Sequence, residues 1–266
     1  MDAPVDGASI NIEIEGDGHP LLLIHGGLGD LRMWDRQVPA FAERYRVIRY
    51  DTRGFGATET EDVEYRDADD ALAVLDHVGA TSAYVIGQSR GGSIGVDLLV
   101  EHPERVDALV SVAGGVSGFV YEGDDGPPEA EMERLYEAGD ITGLAELETQ
   151  VWVDGWGQPA SRVDPGIRRL VHDWIEADIR ADKPWGKPAE IEPPAAERLG
   201  DVRVPVLVMI GEVDEPGSVA RGRFLAASVA GARLVTFPNV AHMIQLEEPE
   251  RFTESVLSFL RDVDGT

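Results

Sequence analysis

Short apolar runs recur along the chain at intervals that suit alternating strands and helices. Residues 10–14 (INIEI) alternate apolar with polar, the period of a strand with one buried face. Residues 21–24 (LLLI), 46–50 (RVIRY), 83–86 (AYVI), 108–113 (ALVSVA), 205–210 (PVLVMI) and 233–237 (RLVTF) are brief and β-rich. Runs of that kind predict strands buried on both faces of a parallel sheet. Helical patterns lie between them. Residues 67–78 (DADDALAVLDHV) begin with acids, which favour a helix N-terminus. Residues 93–101 follow a glycine pair, and Phe252, Val256, Phe259 and Leu260 share one helical face. The alternation predicts an α/β fold with a mainly parallel sheet flanked by helices.

It stops between about 117 and 196, where no strand is expected. Ile167, Leu170, Val171, Trp174, Ile175 and Ile179 form a helical stripe, and Leu144, Leu147 and Val151 suggest another. Pro and Gly residues at 126–128 and 184–194 mark the edges. The expected organisation is a core of residues 1–116 and 196–266, with 117–195 inserted as a helical lid. Four of the five tryptophans, Trp152, Trp156, Trp174 and Trp185, fall in that insertion. Each either packs the lid onto the core or lines an apolar substrate pocket between them.

Composition narrows the class. A chain of 266 residues, 43% hydrophobic, suffices for one large domain with an insertion. It has no cysteine, which excludes disulfides, thiolate metal sites and a cysteine nucleophile. The start (MDAPVDGASINIE) lacks the basic-then-apolar pattern of a secretory signal. No apolar stretch reaches the roughly 18 residues needed to cross a membrane. A soluble, cytoplasmic protein is the expectation.

Charge adds a second constraint. Fifty acidic residues against 23 basic ones give a formal charge of −27, and only Lys183 and Lys187 are lysines. Such a surface repels nucleic acid and anionic lipid, so neither is an expected partner. Acid excess with lysine scarcity also predicts adaptation to high salt, which screens the self-repulsion.

The strongest chemical signal is Gly87-Gln88-Ser89-Arg90-Gly91, after an apolar strand and at the start of a helix. A sharp strand-to-helix turn strains the serine backbone and lifts its hydroxyl out of the sheet. The helix N-terminus supplies free N–H groups where an oxyanion would form. Ser89 is therefore the candidate nucleophile, and it needs a base. Of six histidines, His77, His102 and His172 read as structural or solvent-facing, and His19 as part of a turn between early strands. His242 lies in a loop (PNVAHMI) after the last strand, where α/β active sites form. It is the expected base.

Asp214, also beyond a strand end, is the expected acid that orients the imidazole. Glu212 and Glu215 are close competitors. The oxyanion donors are expected to be the backbone N–H groups of Arg90 and of Gly27, in the loop His25-Gly26-Gly27-Leu28-Gly29-Asp30. His25 reads as a brace for that loop. The Arg90 side chain has three open uses: an acid of the core, an acid of the lid, or a substrate carboxylate.

Taken together, LLLIHGG, YDTRGFGAT, VIGQSRGG, HPERV, VLVMIGEVDE and NVAHMI resemble segments of the α/β-hydrolase superfamily. They stand in that superfamily's order of serine, acid, histidine, and cover the core but not the lid. The resemblance implies an α/β-hydrolase fold, a Ser89–Asp214–His242 triad and an oxyanion hole at Gly27 and Arg90. It also implies that Asp51, Arg53, Gly54 and Gly56 shape a turn beside the active site. YDTRGFGAT is similar to the enol-lactone hydrolases of aromatic catabolism. The expected activity is hydrolysis of a small, partly apolar ester or lactone, with no metal or organic cofactor. Carbon–carbon bond hydrolysis and cofactor-free perhydrolysis use the same triad. Some proteins of this fold instead act as small-molecule receptors.

Overall fold

The computed structural model describes residues 1–123 and 126–265. The strands are β1 (Asp2–Val5), β2 (Ala8–Glu15), β3 (His19–Ile24), β4 (Tyr45–Tyr50), β5 (Glu59–Thr60), β6 (Glu64–Tyr65), β7 (Ala83–Gln88), β8 (Val106–Val112), β9 (Lys187–Pro188), β10 (Val206–Gly211) and β11 (Arg233–Phe237). Among the described residues, one sheet runs β1-β2-β4-β3-β7-β8-β10-β11, with β5 added beside β2. Pairing is parallel from β4 through β11, while β1, β2, β4 and β5 meet in antiparallel pairs. The antiparallel edge strand β1 has too little pattern of its own to be read from sequence.

The helices are α1 (Val38–Ala42), α2 (Asp67–His77), α3 (Arg90–Glu101), α4 (Glu129–Glu137), α5 (Ile141–Glu148), α6 (Pro165–Ala181), α7 (Pro216–Ser228), α8 (Ile244–Glu247) and α9 (Pro249–Asp264). Successive strand side chains point to opposite faces, so Leu22 and Ile24 join the apolar cluster that holds residues of α2, α3 and α7, while Leu21 and Leu23 join the one that holds Phe41, Phe252 and Val256. Burial on both faces explains why β7 and β10 read as continuous apolar runs: every residue of each is buried.

The stretch 117–195, of which residues 124–125 lie outside the description, holds α4, α5, a π-helical turn (Thr149–Asp154) and α6. One detail corrects the sequence reading. It does contain a strand, the two-residue β9, which pairs with β6 of the core. A lysine and a proline, both exposed, carry no apolar alternation to betray it. The helical stripe falls on α6, capped by Asp164, whose side chain accepts from the N–H groups of Gly166 and Ile167. Its buried face, Ile167, Val171 and Ile175, meets Leu28, Met33, Met243 and Leu246 of the core.

His19 is a second correction. It opens β3 rather than a turn, with its ring centroid 4.4 Å from that of Tyr84 and Nε2 2.9 Å from Asp107. Pairing with β4, which takes in His19 and Pro20, extends the strand beyond its apolar run.

Candidate active site

The chain lays β4 on one side of β3 and returns to place β7 on the other. Connections that diverge in this way leave a crevice at the strands' carboxyl ends. The loop after β3 and the turn after β7 therefore adjoin. A Cβ built on Gly26 would lie 3.0 Å from that of Ser89 and 1.9 Å from Gln88 Oε1. Only glycine lets the two segments approach so closely.

Ser89 stands between β7 and α3 at φ 52°, ψ −115°. A non-glycine residue held there stores about 1–3 kcal/mol of strain. Its N–H donates to the Val112 carbonyl, 2.9 Å away in β8, and its own carbonyl accepts from Ser93 and Gly115. Anchors on β8 and α3 thus hold the turn. Gly87 and Gly91 are required by contact: a Cβ on Gly87 would meet the Gly91 carbonyl oxygen at 2.1 Å, and one on Gly91 would meet that of Ile24 at 2.2 Å. Arg90 is the first residue of α3, so its N–H has no partner within the helix. Gly27 lies exposed, with open space where a side chain would be.

His242 and Asp214 meet beyond the ends of β11 and β10. The Nδ1–H of His242 donates to Asp214 Oδ2 at 2.8 Å, with the two residues only 3% and 4% exposed. A carboxylate can only accept, so this bond puts the proton on Nδ1 and leaves Nε2 with a lone pair. The other carboxylate oxygen, Oδ1, accepts the Glu215 N–H at 2.7 Å, which fixes the plane of the group. The competing acids are committed elsewhere. Glu215 caps α7 through the N–H groups of Gly217 and Ser218, and Glu212 is exposed beside the Asn239 N–H. Gln88, fully buried, donates from Nε2 to the His242 carbonyl at 3.2 Å and so links the Ser89 turn to the histidine loop.

His25 braces the glycine loop. Its Nδ1–H donates to the Gly26 carbonyl (2.7 Å), and its Nε2 accepts the Thr52 N–H (2.9 Å). Accepting at Nε2 requires a neutral ring, and burial pushes its pKa below the ordinary imidazole value. Asp51 closes the neighbouring turn by accepting from the N–H groups of Leu31 and Ala57 and from Asn11 Nδ2. Gly56 sits in the left-handed region at φ 49°, where a Cβ would strike the Asp51 carboxylate. Arg53 forms a buried fork with Asp70, at 2.7 and 2.9 Å.

The Arg90 side chain turns to the core. Nη1 donates to Thr52 Oγ1 (2.7 Å), while Nη2 donates to Asp67 (2.8 Å) and to the Tyr65 hydroxyl (3.1 Å). From the sequence Asp67 reads only as one of the acids that open a helix. Its partnership with Arg90 joins residues 23 positions apart and has no local signal.

The four tryptophans part company. The Trp152 ring lies against His242, with centroids 4.9 Å apart. Trp174 covers the glycine loop, where a Cβ on Gly29 would be 2.9 Å from its ring. Trp185 packs edge-on against Phe55 at 4.6 Å and lies 5.6 Å from the Arg90 guanidinium. Trp156 stands apart from these three, lining a cavity of about 470 Å³ together with Asp214, Val213 and Arg223.

Sheet order, strained turn and histidine–aspartate pair together define a hydrolase of the α/β class, and the chain belongs to the α/β-hydrolase superfamily. A family model of the alpha/beta hydrolase fold matches residues 19–140. The 2-hydroxymuconate semialdehyde hydrolase of a Pseudomonas species is 32% identical, with 97% of this chain and 93% of that protein aligned. The 3-oxoadipate enol-lactonase 2 of Acinetobacter baylyi is 28% identical over 91% of this chain and 89% of its own. The crystal structure of the enol-lactonase from Burkholderia xenovorans superposes with a TM-score of 0.76 at 25% identity, covering 98% of this chain and 99% of that one. Among the described residues, no helix is long and apolar enough to cross a membrane.

Proposed function

We propose that this hydrolase cleaves an uncharged carboxylic ester or lactone through an acyl-enzyme on Ser89, with the triad Ser89–His242–Asp214. The observation that carries the reading is the commitment of His242 Nδ1 to Asp214, which leaves Nε2 as the basic nitrogen. Nε2 takes the Ser89 proton as Oγ attacks the carbonyl carbon. The oxyanion is received by the N–H groups of Gly27 and Arg90. Collapse breaks the acyl–oxygen bond, and the imidazolium returns its proton to the leaving alcohol. Water, deprotonated by His242, then attacks the acyl-enzyme and frees the acid and Ser89.

Electrostatics favours the uncharged substrate. Arg90, the cation next to the nucleophile, is neutralised by Asp67 rather than free for a substrate carboxylate. Residues 117–195 act as a lid over this site, and Trp152, Trp174 and Trp185 supply apolar walls. Trp156 lines a separate cavity beside Asp214. Carbon–carbon bond hydrolysis by the same triad is the second reading, favoured by the similarity to 2-hydroxymuconate semialdehyde hydrolase.

A fluorophosphonate probe with peptide mass spectrometry tests the mechanism. Wild type is expected to be labelled at Ser89, while Ser89→Ala escapes labelling and loses on the order of 10⁴–10⁶ in kcat. An unlabelled wild type without ester turnover in low or high salt would sink it. Turnover of carbon–carbon substrates without ester turnover would select the second reading.

A further inference from the structure

We propose that Arg162, together with Glu247, is a positioning pair for His242, joining the lid's π-helical turn and the histidine loop into one body. The proposal rests on His242 being the base. Arg162 belongs to the lid and Glu247 to α8, yet their side chains are only 4% and 7% exposed and meet at 2.5 Å. Burying two charges is costly unless every donor and acceptor is used. Here most are. Arg162 Nε donates to the Asp154 carbonyl, Nη2 to the Val153 carbonyl (2.6 Å), and Nη1 to the Asn239 carbonyl (2.7 Å) as well as to Glu247 Oε2. The other oxygen of Glu247 accepts the N–H of Ala241 at 2.9 Å, one residue before His242.

The histidine is held from both sides by this assembly. Its backbone N–H donates to the Trp152 carbonyl (3.2 Å), and its ring faces the Trp152 ring. Trp152 precedes the two carbonyls gripped by Arg162. Asn239, in the left-handed region at φ 57°, begins the gripped loop. A pair that merely docked the lid would need one contact between lid and core. This guanidinium instead binds backbone on both sides of the junction, and its partner Glu247 accepts the N–H of Ala241, the residue before His242. The surface pair Arg134–Glu131 shows the contrast, being largely exposed and confined to one helix.

The test compares wild type with Arg162→Lys, which keeps the charge but loses the fork, and with the double variant Arg162→Met/Glu247→Gln, which strands no charge. Arg134→Ala is the control. Kinetics on p-nitrophenyl esters are measured alongside thermal unfolding and the NMR signal of the His242 Nδ1–H proton. Mispositioning predicts a fall of about 10–10² in kcat, with KM within about threefold. The Nδ1–H signal should shift or broaden in variants that stay folded at the assay temperature. Arg134→Ala should match wild type in all three. Folded variants with wild-type kcat and an unchanged His242 signal would overturn the proposal and leave the pair a lid fastener. If wild type is unreactive at Ser89, the hydrolase reading fails separately. The His242 signal then still decides whether Arg162 positions it.

Discussion

Replacing Asp214 by Asn is a probe whose outcome follows from two hydrogen bonds. Asp214 Oδ1 accepts the Glu215 N–H at 2.7 Å, while Oδ2 accepts the His242 Nδ1–H at 2.8 Å. In Asp214→Asn the carbonyl oxygen keeps the Glu215 bond, because the amide NH₂ cannot accept. The NH₂ then faces His242 and forces Nδ1 to accept, which moves the imidazole proton to Nε2. That tautomer cannot take a proton from Ser89. Restoring the competent form means turning the amide over, which strands the buried Glu215 donor at about 1–3 kcal/mol. The imidazolium also loses its charged partner, worth about 1.5–3 kcal/mol. Together these raise the barrier by about 2.5–6 kcal/mol, a loss of about 10²–10⁴ in kcat. The assay is steady-state ester hydrolysis with ¹⁵N NMR of the histidine rings. Asp214→Ala imposes no tautomer and should retain more activity than Asp214→Asn. An Asn variant within about tenfold of wild type, or one whose His242 proton stays on Nδ1, would refute the reasoning.

Three further outcomes are expected. The thermal midpoint should rise between dilute buffer and molar KCl, because the Debye length falls from about 10 Å at 0.1 M to about 3 Å at 1 M; a flat or falling midpoint would count against the charge argument. Burial pushes Glu148, at the end of α5, up to about 6 from 4.5. A carboxyl raised in the folded state costs stability only above its unfolded pKa, and the full cost of about 2 kcal/mol is reached above the folded one. Glu148→Gln should therefore stabilise at pH 8 and change little at pH 4, as denaturant unfolding at both pH values would check. Gly26→Ala puts a methyl group 1.9 Å from Gln88 Oε1. It should displace the Gln88 bond to the His242 carbonyl and lower kcat at least tenfold, about 1.4 kcal/mol in barrier; wild-type turnover would show that the loop yields freely.

Much of the architecture was legible because its signals are local. The parallel strands appear as brief apolar runs, since burial on both faces removes polar alternation. The face of α9 appears as Phe252, Val256, Phe259 and Leu260, and the Ser89 turn as glycines between a strand and a helix. The sequence also placed the serine, acid and histidine segments at strand ends in order. It did not show β1, or the pairing that makes His19 part of β3, because those depend on a neighbouring strand rather than on their own pattern.

What only the tertiary structure decided were partnerships. Near Asp214 three acids carried the same local signal. Geometry separated them, sending Glu215 to cap α7, leaving Glu212 exposed and turning Asp214 to His242 across 28 positions. The three uses open to Arg90 closed on Asp67. Four similar tryptophans were divided among His242, the glycine loop, Phe55 and a cavity beside Asp214. Arg162 and Glu247, 85 positions apart, gave no sign of each other at all. Periodicity and turn chemistry act over about ten residues, whereas a buried charge is satisfied by whatever the completed fold brings within three ångströms.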